Sequence, residues 1–274
     1  MDAALRELAI RQSDLVAAWQ LRAAGWSRKK IEHHTSAHAW HAVHRGVYAL
    51  TQAQLTRRQQ WIAAVLTAPG TVLSHASAGD CYGFRPFRGT YETVTRPGSG
   101  GPRRFGGVLI CRSTTLIPNT TVREGIAITT AERTVIDLAP NLDQKATARM
   151  VREAIRLEHT TALRLAAALA AHPTYPGAKY LSELAARYAS LPIGRTRADS
   201  EALALDLLQE AGIEIPKVNY RIAREEADLV WLGARTTCDR GDRRPAIPPI
   251  PGRGPAQAES LGESGIRRAP RRER

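Results

Sequence analysis

Four carboxylates in the last third of the chain, Glu201, Glu225, Glu226 and Asp228, are of a type and spacing that can hold a divalent cation. Glu201 falls in a run with helical periodicity. Asp228 falls in a β-prone run, and Glu225 and Glu226 lie in the turn before it. A helix bearing Glu followed by a strand bearing Asp is how a Mg²⁺-dependent nuclease begins, because hard cations take oxygen ligands, activate water and stabilise a phosphoryl transition state. Plainly solvated carboxylates share this spacing, so both readings stand. A second group lies near the N-terminus, where Arg28, Lys29 and Lys30 follow Ser27. Ser27 suits an N-cap. Three cations in the first turn oppose the helix dipole, and an external polyanion would offset that. His33, His34, His38, His41 and His44 are also dense here. His34 and His38 have zinc-ligand spacing on a helix, but only Glu32 is near and no Cys is, so phosphate or groove contact fits better. Ser74-His75 and Ser77 lack the G-x-S-x-G elbow of a hydrolase. No phosphate-binding loop of the P-loop or dinucleotide kind is present. Gly98–Gly101 with Arg103 and Arg104 reads as a linker, or as a basic loop touching phosphate.

The elements that must position these residues follow from local pattern. Residues 4–22 read as helices, with Trp19 to Ala24 ending one and Gly25 in the turn. Ser27 opens a second helix. Between Trp40 and Leu50 two short β-prone runs flank His44-Arg45-Gly46. Helix, turn, basic helix and β-ribbon make a winged helix-turn-helix, whose second helix enters a DNA major groove. A plain helical hairpin with a solvated basic face fits the helices equally. Thr51 to Leu66 reads as a helix with a Thr51-x-x-Gln54 capping box, ended by Ala68-Pro69-Gly70, and Ser74 to Tyr82 as another. Tyr91–Thr95, Val108–Arg112 and Gly125–Thr129 read as strands, with 113–121 a polar loop. Thr129-x-x-Glu132 then caps a helix, and Ile126, Ile128, Val135, Ile136 and Leu138 are core. Helices are expected over 144–158, 161–171 and 180–188. Ser190–Gly194 reads as a boundary. Thr196 caps a further helix whose buried face is Leu203, Leu207, Leu208 and Ala211, and a hairpin spans 218–222 and 227–231.

Composition bounds the answer. The 274 residues carry a formal charge of +13, with 43% hydrophobic and 5% aromatic content. Such basicity points to nucleic acid, although nine Arg fall in residues 236–274. Cys81, Cys111 and Cys238 form neither a disulfide framework nor a zinc knuckle. No signal-type or 18-residue apolar run appears. A cytoplasmic protein without a membrane partner is the expectation.

The motif S-R-x-x-I at Ser27, Arg28 and Ile31, followed by V-H-R-G-V-Y at Val43, His44, Arg45, Gly46, Val47 and Tyr48, resembles the N-terminal winged helix of AbiEi-type antitoxins of type IV toxin–antitoxin systems. GIAITTAERTVIDLA resembles the small α/β unit that follows it. T-R-x-x-S-E, LLxEAGI, P-K-V-N and E-A-D-L-V-W look like the start of a restriction-endonuclease-like domain of very-short-patch-repair type. The resemblance implies DNA binding at the system's own promoter, with Ser27, Arg28, Lys29, Lys30, His34, His44 and Arg45 at the DNA. It makes Glu201 and Asp228 remnant catalytic positions. The family's E-x-D-G strand is due next, but TTCDRGDRRPAIPPIP stands there. Shifting the frame one base forward from Thr237 permits an E-x-D-G followed by a His. A truncated nuclease domain and a frameshifted, disordered tail are therefore implied.

The expected architecture is α+β and helix-rich. It comprises a winged helix-turn-helix at 1–50, an α/β and helical region at 51–190, an incomplete endonuclease-like domain at 195–235, and a disordered tail at 236–274. The expected function is an antitoxin-like repressor that binds double-stranded DNA, paired with a nucleotidyltransferase toxin. No cofactor is needed, and Mg²⁺ enters only with an intact nuclease site. A Mg²⁺-dependent endonuclease guided by its winged helix is the alternative. A module that neutralises a toxin without DNA is a third.

Overall fold

The computed structural model describes residues 3–37, 40–87, 89–222 and 224–232; His38 and the tail 236–274 lie outside them. The fold mixes helices and sheets. At the N-terminus it runs α1 (Ala3–Arg11), β1 (Leu15–Ala17), α2 (Ala18–Ala23), α3 (Arg28–Ser36), β2 (His41–His44) and β3 (Val47–Ala49). Antiparallel pairing sets Leu15 opposite Ala49 and Val16 opposite Tyr48, in the order β1-β3-β2. Residues 15–17, read as helical from sequence, form a strand. Ser13 and Asp14 adopt left-handed φ of 54° and 63° and end α1, which frees the fully buried Leu-Val-Ala run to pair. Alternation along the strand then divides it between two cores. Val16 joins Leu5, Leu21, Trp26, Ile31 and Trp40 on one side. Leu15 and Ala17 join the large core on the other.

That large core runs through the expected boundary after Leu50. The helix α4 (Arg57–Val65) contributes Ile62, Ala63 and Ala64 to it. The Trp19 indole donates to the Leu66 carbonyl at 2.9 Å, and Arg58 donates to Ser13 Oγ at 2.5 Å and the Glu124 carbonyl at 2.8 Å. Residues up to Leu232 form one compact unit that neither this boundary nor Ser190–Gly194 divides. The cap of α4 is Thr56 with Gln59, not Thr51 with Gln54. Arg57 explains the choice. It pairs with Asp80 at 2.6 Å and with Glu92, whose other oxygen accepts from Ser77 Oγ at 2.6 Å, and this network fixes the helix start.

The central sheet has the order β6-β7-β5-β4-β9-β8. Its strands are β4 (Val72–Leu73), β5 (Glu92–Pro97), β6 (Arg103–Phe105), β7 (Val108–Ser113), β8 (Thr120–Arg123) and β9 (Ile126–Thr129). β5 and β7 are parallel, as are β4 and β9. The strands β4, β6 and β8 are absent from the sequence reading. β4 is two residues long, and the edge strands β6 and β8 carry polar or basic residues, which protect an edge from further pairing but hide the strand pattern. α5 (His75–Tyr82) and α6 (Ala131–Leu138) pack on the sheet. Thr130 caps α6, accepting from Arg133 N at 3.3 Å, because the buried Thr129 hydroxyl is bonded to Thr134 at 2.7 Å. Ile126, Ile128, Val135, Ile136 and Leu138 are buried, as expected.

Helices α7 (Gln144–Arg156), α8 (Ala162–Ala170), α9 (Ala178–Tyr188) and α10 (Asp199–Glu210) follow, then the two-stranded hairpin β10 (Lys217–Ile222) and β11 (Glu225–Val230). The inward face of α10 is Ala202, Leu205 and Asp206; Leu203, Leu207 and Ala211 are exposed and Leu208 half-buried, against the sequence expectation. An ion pair selects that face: Asp206 Oδ2 meets Arg152 of α7 at 2.7 Å, and both side chains are buried. Thr196 does not cap α10 either; its hydroxyl donates to the Ile193 carbonyl at 2.7 Å, and Ala198 precedes the helix. No helix among the described residues is long and apolar enough to cross a membrane.

Candidate nucleic-acid interface

The start of α3 is built as its sequence demands. Ser27 Oγ accepts from Lys30 N at 3.2 Å, and Ile31 anchors the helix in the N-terminal core. Arg28 is 82% exposed and pairs with Glu32 one turn on, at 2.7 Å. Lys29 is exposed. The Lys30 ammonium sits 3.8 Å from the centre of the Trp26 ring, so it is partly committed to packing.

β2 and β3 form a ribbon beside α3, turning at Gly46 with φ +77°. Arg45 is exposed at this turn. A cleft of about 310 Å³ lies between ribbon and helices, lined by Arg22, Arg28, Glu32, Arg45 and Tyr48. Three guanidiniums thus face one carboxylate, and that carboxylate already holds Arg28. Arg22 is missing from the sequence reading. It ends α2, where a cation suits the helix dipole, and only the fold sets it opposite Arg28 and Arg45.

Two predicted DNA contacts are turned to other uses. His34 stacks on Trp40 with ring centres 4.6 Å apart and lies 5.4 Å from Trp26, so it belongs to the aromatic cluster that holds α3. His44 faces the central sheet, not outward. A Cβ at Gly107, whose φ is +93°, would lie 2.7 Å from His44 Nδ1. Arg45 N donates to the Gly106 carbonyl at 3.3 Å, and its guanidinium lies 5.1 Å from the Phe105 ring. The ribbon is therefore fastened to the turn between β6 and β7, which brings the exposed Arg103 and Arg104 onto an element that touches it.

Two of the C-terminal carboxylates, Glu201 and Glu226, are also engaged. Glu201 Oε2 accepts from Arg197 N at 2.9 Å, and the same arginine's side chain pairs with Glu226 at 2.7 Å. Asp228 is exposed on β11. Among the described residues no three His, Cys, Asp or Glu side chains gather closely enough to hold a metal. Compared with known proteins, the chain matches no family model and no curated protein.

Burial pushes the imidazoles of His34, His44, His75 and His159 below their ordinary value of 6.5. For His34 the charges of His33 and Lys30 act the same way. For His44 the Gly106 backbone, and for His159 the Tyr82 carbonyl, oppose the shift. A depressed imidazole binds fewer protons folded than unfolded. Its stabilising contribution is therefore present above about pH 6.5 and is lost as pH falls through the folded values. Urea midpoints are expected to drop between pH 7.5 and pH 5.5. A midpoint that stays level or rises would show that these rings are not protonated at the expense of folding.

Proposed function

We propose that this chain is a DNA-binding transcriptional regulator, an antitoxin-like repressor of the type IV toxin–antitoxin kind. Its N-terminal winged helix-turn-helix places α3 in the major groove and the β2–β3 wing on the backbone. The observation that carries the reading is the convergence of Arg22, Arg28 and Arg45 around the cleft beside the start of α3. The order helix, strand, helix, helix, ribbon supports it. Arg28, Lys29 and Lys30 are exposed cations of α3, Lys30 lying over the Trp26 ring, with Ser27 setting the helix start. The helix and hairpin of residues 196–232 are a nuclease-like remnant without a catalytic role, since Arg197 occupies the carboxylates of Glu201 and Glu226. Fluorescence anisotropy tests the reading with two duplexes, one from the gene's own upstream region and one scrambled. Preferential and strongly salt-dependent binding to the first is expected. Absence of binding to either at low salt would overturn it.

A further inference from the structure

The central sheet carries a cavity that shares no lining residue with the DNA-facing cleft. It is about 480 Å³ in volume. Thr95 and Cys111, neighbours across β5 and β7, form its floor, and α6 supplies Arg133 and Asp137. The loop after β5, Gly98 to Pro102, and the residues after β7 close its rim. Its groups divide into two kinds. Arg133 is 5% exposed and spends its donors inside the protein, on Asp137 Oδ1 at 2.7 Å, Ser113 Oγ at 3.0 Å and Thr115 Oγ1 at 3.1 Å. Asp137 is thereby neutralised, yet its Oδ2 is buried without a hydrogen-bond partner. Its side chain is only 10% exposed. A buried acceptor left unsatisfied costs stability until a donor reaches it.

Arg112 is the other kind. It is exposed at the rim, and among the described residues no carboxylate pairs with it. Its guanidinium donates to the Ser99 carbonyl at 3.5 Å. Beside it Gly98 and Gly100 hold φ of 133° and 116°, a backbone bare of side chains. Counting Arg112, Arg133 and Asp137, the lining is one charge positive. His75 faces the same space from the start of α5, with a left-handed φ of 49°. Thr95 Oγ1 donates to Ser74 Oγ at 2.8 Å, and Ser74 lies 3.1 Å from His75 Nδ1. That contact engages Nδ1 and leaves Nε2 as the ring nitrogen for a ligand. The cavity so combines an exposed cation and a glycine-containing loop at the rim with a carboxylate acceptor and an imidazole nitrogen within.

We propose that this cavity binds a small sugar phosphate, its phosphate on Arg112 and the glycine loop and its hydroxyls on Asp137 and His75. Occupancy then reaches the wing. The loop leads straight into β6, and the turn after β6 holds Arg45 and His44. This second step rests on the DNA-binding reading; the binding step does not. Calorimetry on the full chain with ribose 5-phosphate tests the first. Measurable binding is expected, at least tenfold weaker in Arg112→Ala, an exposed position whose loss leaves the core intact. It should also be at least tenfold tighter than free ribose or inorganic phosphate. No heat at millimolar ribose 5-phosphate, equal binding by Arg112→Ala, or equal binding of inorganic phosphate would each overturn the site. Anisotropy with and without saturating ribose 5-phosphate tests the second. A change of threefold or more in duplex Kd, absent in Arg112→Ala, is expected, and an unchanged Kd would overturn the coupling. If the protein binds no duplex at all, the regulator reading falls while the calorimetry still decides the cavity.

Discussion

Replacing Arg22, Arg28 and Arg45 together with alanine is expected to lower duplex affinity at 0.1 M salt by roughly two to three powers of ten. Each guanidinium that neutralises a phosphate releases counterions, and the slope of log K against log salt changes by about 0.9 for every phosphate left without its cation. Three such phosphates flatten the slope by about 2.7, which accounts for the weaker binding by itself. All three side chains are exposed, so the substitutions spare the fold. Lys30 is left in place because its packing on Trp26 would confound the result. A control lacking Lys145 and Lys179, exposed on α7 and α9, should keep the wild-type slope. Equal slopes in the triple variant and the wild type would remove this cleft from the DNA.

Asp206→Ala is expected to cost about 3–5 kcal/mol in urea unfolding, because it strands a buried arginine. Asp206 is the single anion among Arg152 at 2.7 Å, Arg187 at 3.1 Å and the Tyr188 hydroxyl at 2.8 Å. Burial, with the Asp206 hydrogen bond next, pushes the Tyr188 phenol up to about 12. Replacing Arg152 by Met and Asp206 by Leu together should recover most of the stability, since an apolar pair of similar volume often matches a buried ion pair. A cost under about 1 kcal/mol in the single variant would mean that water reaches the site and the pair is not dry. The same cluster argues against a cut at Ser190, where the sequence invites one. Such a cut removes Asp206 and Leu205 and leaves the buried Arg152 without its carboxylate.

What could be read from sequence was what neighbours in the chain decide. Ser27 caps α3 because its hydroxyl reaches Lys30 N, and a period of two marks Ile126 and Ile128. The failures share a cause: a distant partner chose between local equals. Two capping boxes compete at the start of α4, and Arg57 picks the later one through Asp80 and Glu92. Four apolar residues stripe α10, and Arg152 turns a different face inward. His34 and His44 look like solvent-facing donors until Trp40 stacks on one and Gly107 lies against the other. At the candidate interface Arg28, Lys29 and Arg45 were legible as charge. Arg22 was not, because its position reads as ordinary helix termination.

The division of β1 between two cores has a mechanical consequence. Val16 belongs to the N-terminal cluster while Leu15 and Ala17 belong to the body. Sliding the strand by one residue would send each side chain into the wrong interior, so register slip is closed to it. The two halves share a wall, not a hinge. Movement at the turn after β6 therefore reaches the β2–β3 ribbon locally, while the two faces of one three-residue strand keep the cleft beside α3 and the cavity on the central sheet in register.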